Sequence, residues 1–155
     1  MTEWICIYLP YIVIAVFLII AAVFDARGGV IPIYLFPCLF GLFVPFVVLT
    51  GNYNLLSSFA GLLLGLFCFY IMARFFGGGG GDILMMSVLG FCLGVKKLAY
   101  IILLAGCTYL LFILVVMLIR LIRKKPVREI LTRQYPYAPF VLTGYIVCYL
   151  AGWLI

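Results

Sequence analysis

Apolar residues run along this chain in long, nearly unbroken stretches that stop only at scattered charges and at clusters of glycine, asparagine and proline. These stops divide the chain into six apolar segments, at 4–26, 31–50, 55–75, 82–95, 98–122 and 137–155. Continuous runs of this length predict helices, because the strands of a membrane barrel would alternate apolar and polar positions over about ten residues. Gly51-Asn52-Tyr53-Asn54 and Gly94-Val95-Lys96-Lys97 each predict a tight turn between antiparallel helices. The first run has neither a basic region before it nor a small-residue cleavage site after it, so it reads as a retained span.

Composition says where such helices sit. The 155 residues are 69% hydrophobic and 9% charged, with a mean hydropathy of +1.40. Soluble domains are roughly half apolar and about a quarter charged. Too little polar sequence is present to coat an apolar core, so lipid must be the solvent for most of the surface. The expected fold is all-α: a polytopic membrane protein of about six transmembrane helices, forming a single domain over 1–155.

Charge then orients the helices. Arg27 and Arg74 follow the first and third segments, and Arg120, Arg123, Lys124, Lys125, Arg128 and Arg133 surround the loop after the fifth. Only Lys96 and Lys97, of the ten basic residues, fall on the other side. The positive-inside rule puts the larger group in the cytoplasm and both termini outside. The net charge of +6 is then a signature of insertion into the plasma membrane and calls for no nucleic-acid partner. Within 123–136, Val127, Ile130 and Leu131 share one helical face. That pattern fits a short interfacial helix on anionic headgroups, and equally a solvated loop.

Metal and disulfide chemistry find little footing. Six cysteines (Cys6, Cys38, Cys68, Cys92, Cys107 and Cys148) lie singly in apolar runs, and the chain has no histidine. They read as small buried hydrophobes, and no metal or cofactor is expected.

Four acids remain: Glu3, Asp25, Asp82 and Glu129. Glu3 lies near the outer terminus and Glu129 among the basic residues of the cytoplasmic loop. Asp25 and Asp82 each sit at the edge of an apolar span, where a carboxylate costs a few kcal/mol and usually has a task. Asp25 ends the first span and Asp82 begins the fourth, so both fall at the cytoplasmic side. The alternative is that each caps a helix at the interface, and Asp82 is well placed as an N-cap. Five glycines, Gly77 to Gly81, directly precede Asp82. Glycine costs backbone entropy, so the run needs a reason: close approach of another backbone to the acid, or a hinge between helices. The fourth span is short, about 20 Å from 83 to 95 against a hydrocarbon core of about 30 Å. Sinking the glycine loop and Asp82 below the interface would account for that, as would local thinning of the bilayer.

Gly79-Gly80-Gly81-Asp82 resembles the GxGD signature of intramembrane-type aspartic peptidases. The stretch from Asp25 to Ile31-Pro32 resembles the aspartate, five variable residues and Ile-Pro of the type IV prepilin and preflagellin peptidases. Tyr135-Pro136-Tyr137-Ala138-Pro139-Phe140, followed by Gly144, looks like that family's Pro-x-x-Pro-Phe segment before its last helix. Two positions depart from the family pattern: Ile33 stands where asparagine is common, and Leu84 where lysine is common.

The resemblance implies an aspartic endopeptidase that cuts the short basic leader from a prepilin or pseudopilin at the cytoplasmic membrane face. Asp25 and Asp82 would be the catalytic pair, with Gly79, Gly80 and Gly81 admitting substrate. The cysteine-bearing N-terminal domain of the bifunctional members is not in this sequence, which implies a peptidase-only form without N-methyltransferase activity. Two carboxylates at close range share one proton. Asp82 begins a helix and Asp25 ends one, so the helix dipoles suggest Asp82 as the carboxylate and Asp25 as the acid. The main rival is a small ion- or proton-coupled transporter using the aspartates as a relay, which gives no account of the GxGD loop. Presenilin-like peptidases share GxGD but carry Tyr-Asp and Pro-Ala-Leu motifs, whereas here Phe24 precedes Asp25 and the tail reads Tyr137-Ala138-Pro139. A purely structural subunit leaves both aspartates unexplained.

Overall fold

The computed structural model describes the backbone of residues 2–50, 54–76, 79–123 and 135–154, and the side chains of 8–43, 54–74, 79–123 and 135–154. Within these the regular structure is helical: α1 (Thr2–Gly28), α2 (Leu35–Thr50), α3 (Leu55–Phe76), α4 (Gly80–Leu93), α5 (Val95–Ile122) and α6 (Ala138–Leu150). Residues 51–53 of the first predicted turn, Gly77 and Gly78, and 124–134 of the basic loop lie outside the described residues. So do the side chains of Glu3 and Cys6.

Local chemistry sets the helix ends. Gly29, Gly94 and Gly152 have φ of 63°, 80° and 72°, the left-handed region that glycine enters without steric cost, and each closes a helix. After α6, the Gly152 N–H donates to the Tyr149 carbonyl at 3.1 Å and the Trp153 N–H to that of Cys148 at 3.0 Å. This is a Schellman ending, and it stops the helix at Leu150 although apolar sequence continues to 155. At the other end of α2, Pro32 disfavours helix at Ile31. Residues 30–34 therefore form a turn, with the Leu35 N–H donating to the Pro32 carbonyl at 3.1 Å, and α2 begins at Leu35 instead of 31. Asn54 caps α3, its Oδ1 accepting the Ser57 N–H at 3.3 Å. The second predicted turn shrinks to one residue. Gly94 accepts the Leu98 N–H and donates to the Gly90 carbonyl, so α5 starts at Val95 instead of 98.

α3 packs most extensively against α4. A Cβ on Gly61 would overlap the Gly90 carbonyl, and one on Gly65 would overlap that of Met86. Small residues four apart let the two backbones touch, as in Gly-x-x-x-Gly helix pairs of membranes. α6 lies on α5 in the same manner, since a Cβ on Gly144 would lie 3.0 Å from the Ile101 carbonyl oxygen. α4 is the central helix. Met85, Met86 and Leu89 are fully buried, and it packs against α2, α3 and α5.

The outer surface is apolar. Leu56, Leu63 and Phe67 on α3 and Leu110, Leu114 and Ile122 on α5 all point outward. Patches of that extent are not tolerated in water, so the surrounding solvent is hydrocarbon. Among the described residues, three helical segments, Tyr8–Gly28, Leu55–Arg74 and Val95–Ile122, are long and apolar enough to cross a membrane, while α4 and α6 are shorter.

Candidate active site

Asp25 sits one turn before the end of α1, where Gly29 donates to its carbonyl at 2.8 Å. The residue is buried, 7% exposed. Oδ2 accepts the backbone N–H of Ala138 at 2.9 Å. That donor exists because α6 begins without a side-chain cap: Tyr137 is its N-cap, and Pro139 follows Ala138. The first amides of a helix have no partner inside it, and Asp25 supplies one from another part of the chain.

Asp82 lies at the third position of α4, and Gly79 takes the N-cap position. Asp82 is therefore not the cap that its place in the sequence suggests. Its carboxylate turns back toward the Gly79 amide, as the acid of a capping box does. The other oxygen, Oδ1, is buried and has no hydrogen-bond partner among the described residues. Asp25 is near enough for its charge to act on Asp82. The structure thus brings the two sequence-predicted aspartates together, although α1 and α4 pack little against each other directly.

The α3–α4 register gives the depth of the site. Gly61 faces Gly90, Gly65 faces Met86 and Ser57 faces Gly94, so each step up α3 matches one step down α4. Extended along the helices, this register puts Asp82 level with Phe69. That is seven residues short of the α3 end at Phe76, or about 10 Å at 1.5 Å per residue.

The two aspartate segments meet at Gly81. A Cβ there would lie 3.1 Å from Ile31 Cβ and 3.6 Å from its backbone nitrogen. The glycine accordingly packs on the Ile-Pro turn. Among the described residues, Gly80 has nothing within 4 Å of its Cβ position, and Gly79 has only Asp82 Oδ2, at 3.8 Å. These two present open faces beside the acid. Ile33 is 72% exposed and Leu84 41%, so neither departure from the family pattern is buried in the core.

Two further residues border the site. Asp82 acts electrostatically on the phenols of Tyr109 and Tyr137. Their rings meet at 5.5 Å, and Tyr137 also packs on Phe69 at 5.4 Å. Tyr137 lies in the tail segment singled out from the sequence, though without a role. Tyr109 is one of two tyrosines in the fifth apolar span, with Tyr100, and only tertiary packing sets it apart. Among the described residues, no group of three or more His, Cys, Asp or Glu side chains is placed to hold a metal. What the site offers is a carboxylate pair in apolar surroundings, the arrangement for general acid–base chemistry.

The model of the type IV leader peptidase family matches residues 12–119, a stretch containing both aspartates and the glycines before Asp82. A protein of Bacillus subtilis (strain 168) described as prepilin leader peptidase/N-methyltransferase is 36% identical over 154 residues, covering 92% of this chain. The chain spans about half, 56%, of that relative's length. No solved structure matches. On the family model and this relative together, the chain belongs to the type IV leader peptidase family.

Proposed function

We propose that the protein is a membrane-embedded aspartic endopeptidase that removes the short basic leader of a type IV prepilin-like protein at the cytoplasmic face of the plasma membrane. The observation that carries this reading is the convergence of Asp25 and Asp82 from separate helices. One buried oxygen of Asp82 has no partner among the described residues, and open glycines lie beside it. About six spans with both termini outside would put Arg27, Arg74, Arg120 and Arg123, which lie near the ends of α1, α3 and α5, at the cytoplasmic face. The site shares that end.

In the proposed reaction, one carboxylate takes a proton from water as the oxygen attacks the scissile carbonyl carbon. The other carboxyl gives its proton to the carbonyl oxygen. As the tetrahedral diol collapses, one hydroxyl returns its proton to the carboxylate that had served as acid, the C–N bond breaks, and the nitrogen takes the proton that the other carboxyl drew from water. The reaction needs one base and one acid, so it requires the two carboxyl groups to share a single proton. The dipole asymmetry read from the sequence is offset in three dimensions. Asp82 meets the start of α4, but Asp25 meets the start of α6, so each carboxylate has a helix N-terminus of its own.

Co-expression with a prepilin tests the reading. Asp25→Asn and Asp82→Asn should each abolish leader cleavage while the protein still inserts and survives extraction in detergent. Substantial cleavage by either variant would remove the dyad from the mechanism.

A further inference from the structure

A carboxylate that must present one oxygen to a partner acid and a water needs its other oxygen held. Asp25 Oδ2 is held by the Ala138 N–H at 2.9 Å, a buried bond between residues 113 apart in the chain. Ala138 is fully buried, and Pro139 after it has no N–H to offer. Aromatic rings from two other helices fix this short segment. Tyr137 packs on Phe69 of α3 at 5.4 Å and on Tyr109 of α5 at 5.5 Å. Phe140 packs on Tyr109 at 5.2 Å and on Phe112 at 5.3 Å. Tyr135 packs on Phe112 at 5.6 Å.

Resting on the peptidase reading, we infer that Ala138, through its backbone amide, is a positioning residue that sets the orientation of Asp25, with Tyr137 bracing it. The amide donates to Oδ2 and so fixes the rotation of the Asp25 carboxyl group. The braces come from α3 and α5, which supply no reacting carboxylate, so the site draws its geometry from helices that take no part in the chemistry. A bond that only capped α6 would affect folding and leave turnover by folded molecules unchanged.

The two roles separate in an amide-to-ester exchange at Ala138, introduced by suppressing a nonsense codon with lactic acid. The exchange removes the N–H and keeps the side chain. The probe is a synthetic peptide with a basic leader followed by an apolar stretch, cleaved by detergent-solubilised protein whose folded fraction is measured. Losing one donor to a charged group should lower kcat per folded molecule about ten- to hundredfold, with KM within about twofold of the parent, as expected when an interaction made in the transition state is lost. Ala138→Gly keeps the amide and should retain kcat within a few-fold. An unchanged kcat in the ester variant would overturn the inference, and so would a rise in KM alone, which would make the segment a substrate contact. If Asp25→Asn and Asp82→Asn abolish cleavage while the ester variant turns over normally, only this inference fails. If the aspartate variants still cleave, the dyad on which this inference rests fails with it.

Discussion

Replacing Gly81 with alanine tests the joint between the two aspartate segments. The added Cβ would lie 3.1 Å from Ile31 Cβ and 3.6 Å from its Cγ1. Non-bonded carbons rest about 3.5–4.0 Å apart, so the nearer contact is short by about 0.4–0.9 Å. The obstructing atom is itself a Cβ, fixed by its backbone, and no change of rotamer at Ile31 moves it. Either the first turn of α4 or the turn around Pro32 must shift. Overpacking of this kind costs about 1–3 kcal/mol, offset by about 1 kcal/mol of helix propensity that alanine gains over glycine. The net loss is up to about 2 kcal/mol, a fall of up to about 8 °C in melting temperature for a chain of this size. Because Asp82 is the next residue, the shift reaches the carboxylate, and misplacement of a catalytic group by 1 Å can cost about a hundredfold in rate.

Gly79 and Gly80 supply the contrast. Alanine at Gly80 meets nothing within 4 Å and should hold stability or raise it by roughly 0.4–1 kcal/mol. Thermal unfolding and leader cleavage would be measured on the same preparations of all three variants. Gly81→Ala should lose both stability and cleavage. Loss of cleavage alone in Gly79→Ala or Gly80→Ala would mark these open glycines as the place where substrate backbone passes. Parental stability and cleavage in Gly81→Ala would refute the joint, and an equal profile at all three positions would return the run to a hinge.

Gly61→Ala and Gly90→Ala should each prevent recovery of folded protein, because the new methyl group would overlap backbone of the facing helix; Gly106→Ala, with nothing within 4 Å, is the control and should fold normally. Lys97→Met removes an ammonium that donates to the Tyr11 hydroxyl at 2.6 Å and to the Leu154 carbonyl. It should lower stability by about 1–3 kcal/mol yet leave cleavage at low temperature unchanged, since Tyr11 is about 21 Å along α1 from Asp25; a selective loss of cleavage would contradict this. Chelators should leave cleavage at its starting rate, and loss on chelation with recovery on adding zinc would count against a reaction run by two carboxylates.

Much of this arrangement was legible in the chain, because lipid imposes a coarse code. Apolar runs between charges located the helices, and most of their limits moved by only a few residues. The larger shifts came from single residues with strong backbone preferences, such as Pro32 before α2 and Gly152 after α6. Asp25 and Asp82 stood out because acids are scarce in apolar sequence. Their surroundings were less legible. The sequence suggests access as the reason for the glycines, but Gly81 faces Ile31, and nothing local announces that contact. Gly61 and Gly65 carry a readable spacing that went unused, while Gly90 acquires its meaning only opposite Gly61. The Ala138 amide could not be foreseen, since a backbone donor leaves no mark in sequence.

The dipole argument shows why such unmarked groups matter. Judged by its own helix, Asp25 sits at the unfavourable end and Asp82 at the favourable one. α6 reverses the first of these judgements, because its opening amide meets Asp25. Both acids then lie where helix starts direct N–H groups at them, in surroundings that would otherwise resist charge. Depth adds a second constraint. Asp82 is about 10 Å short of the end of α3 in the shared register, so a peptide bond meeting it must pass beyond the helix ends toward Phe69 and Tyr137. A regular helix hides its amides in its own hydrogen bonds. A substrate reaching this depth would have to present extended backbone instead, and the open faces of Gly79 and Gly80 leave room for it. On the proposed reading, a short helix, bare glycines and two helix starts, one of them borrowed from α6, are parts of one solution: they would let carboxylates and an unwound peptide meet below the level of the longer helices.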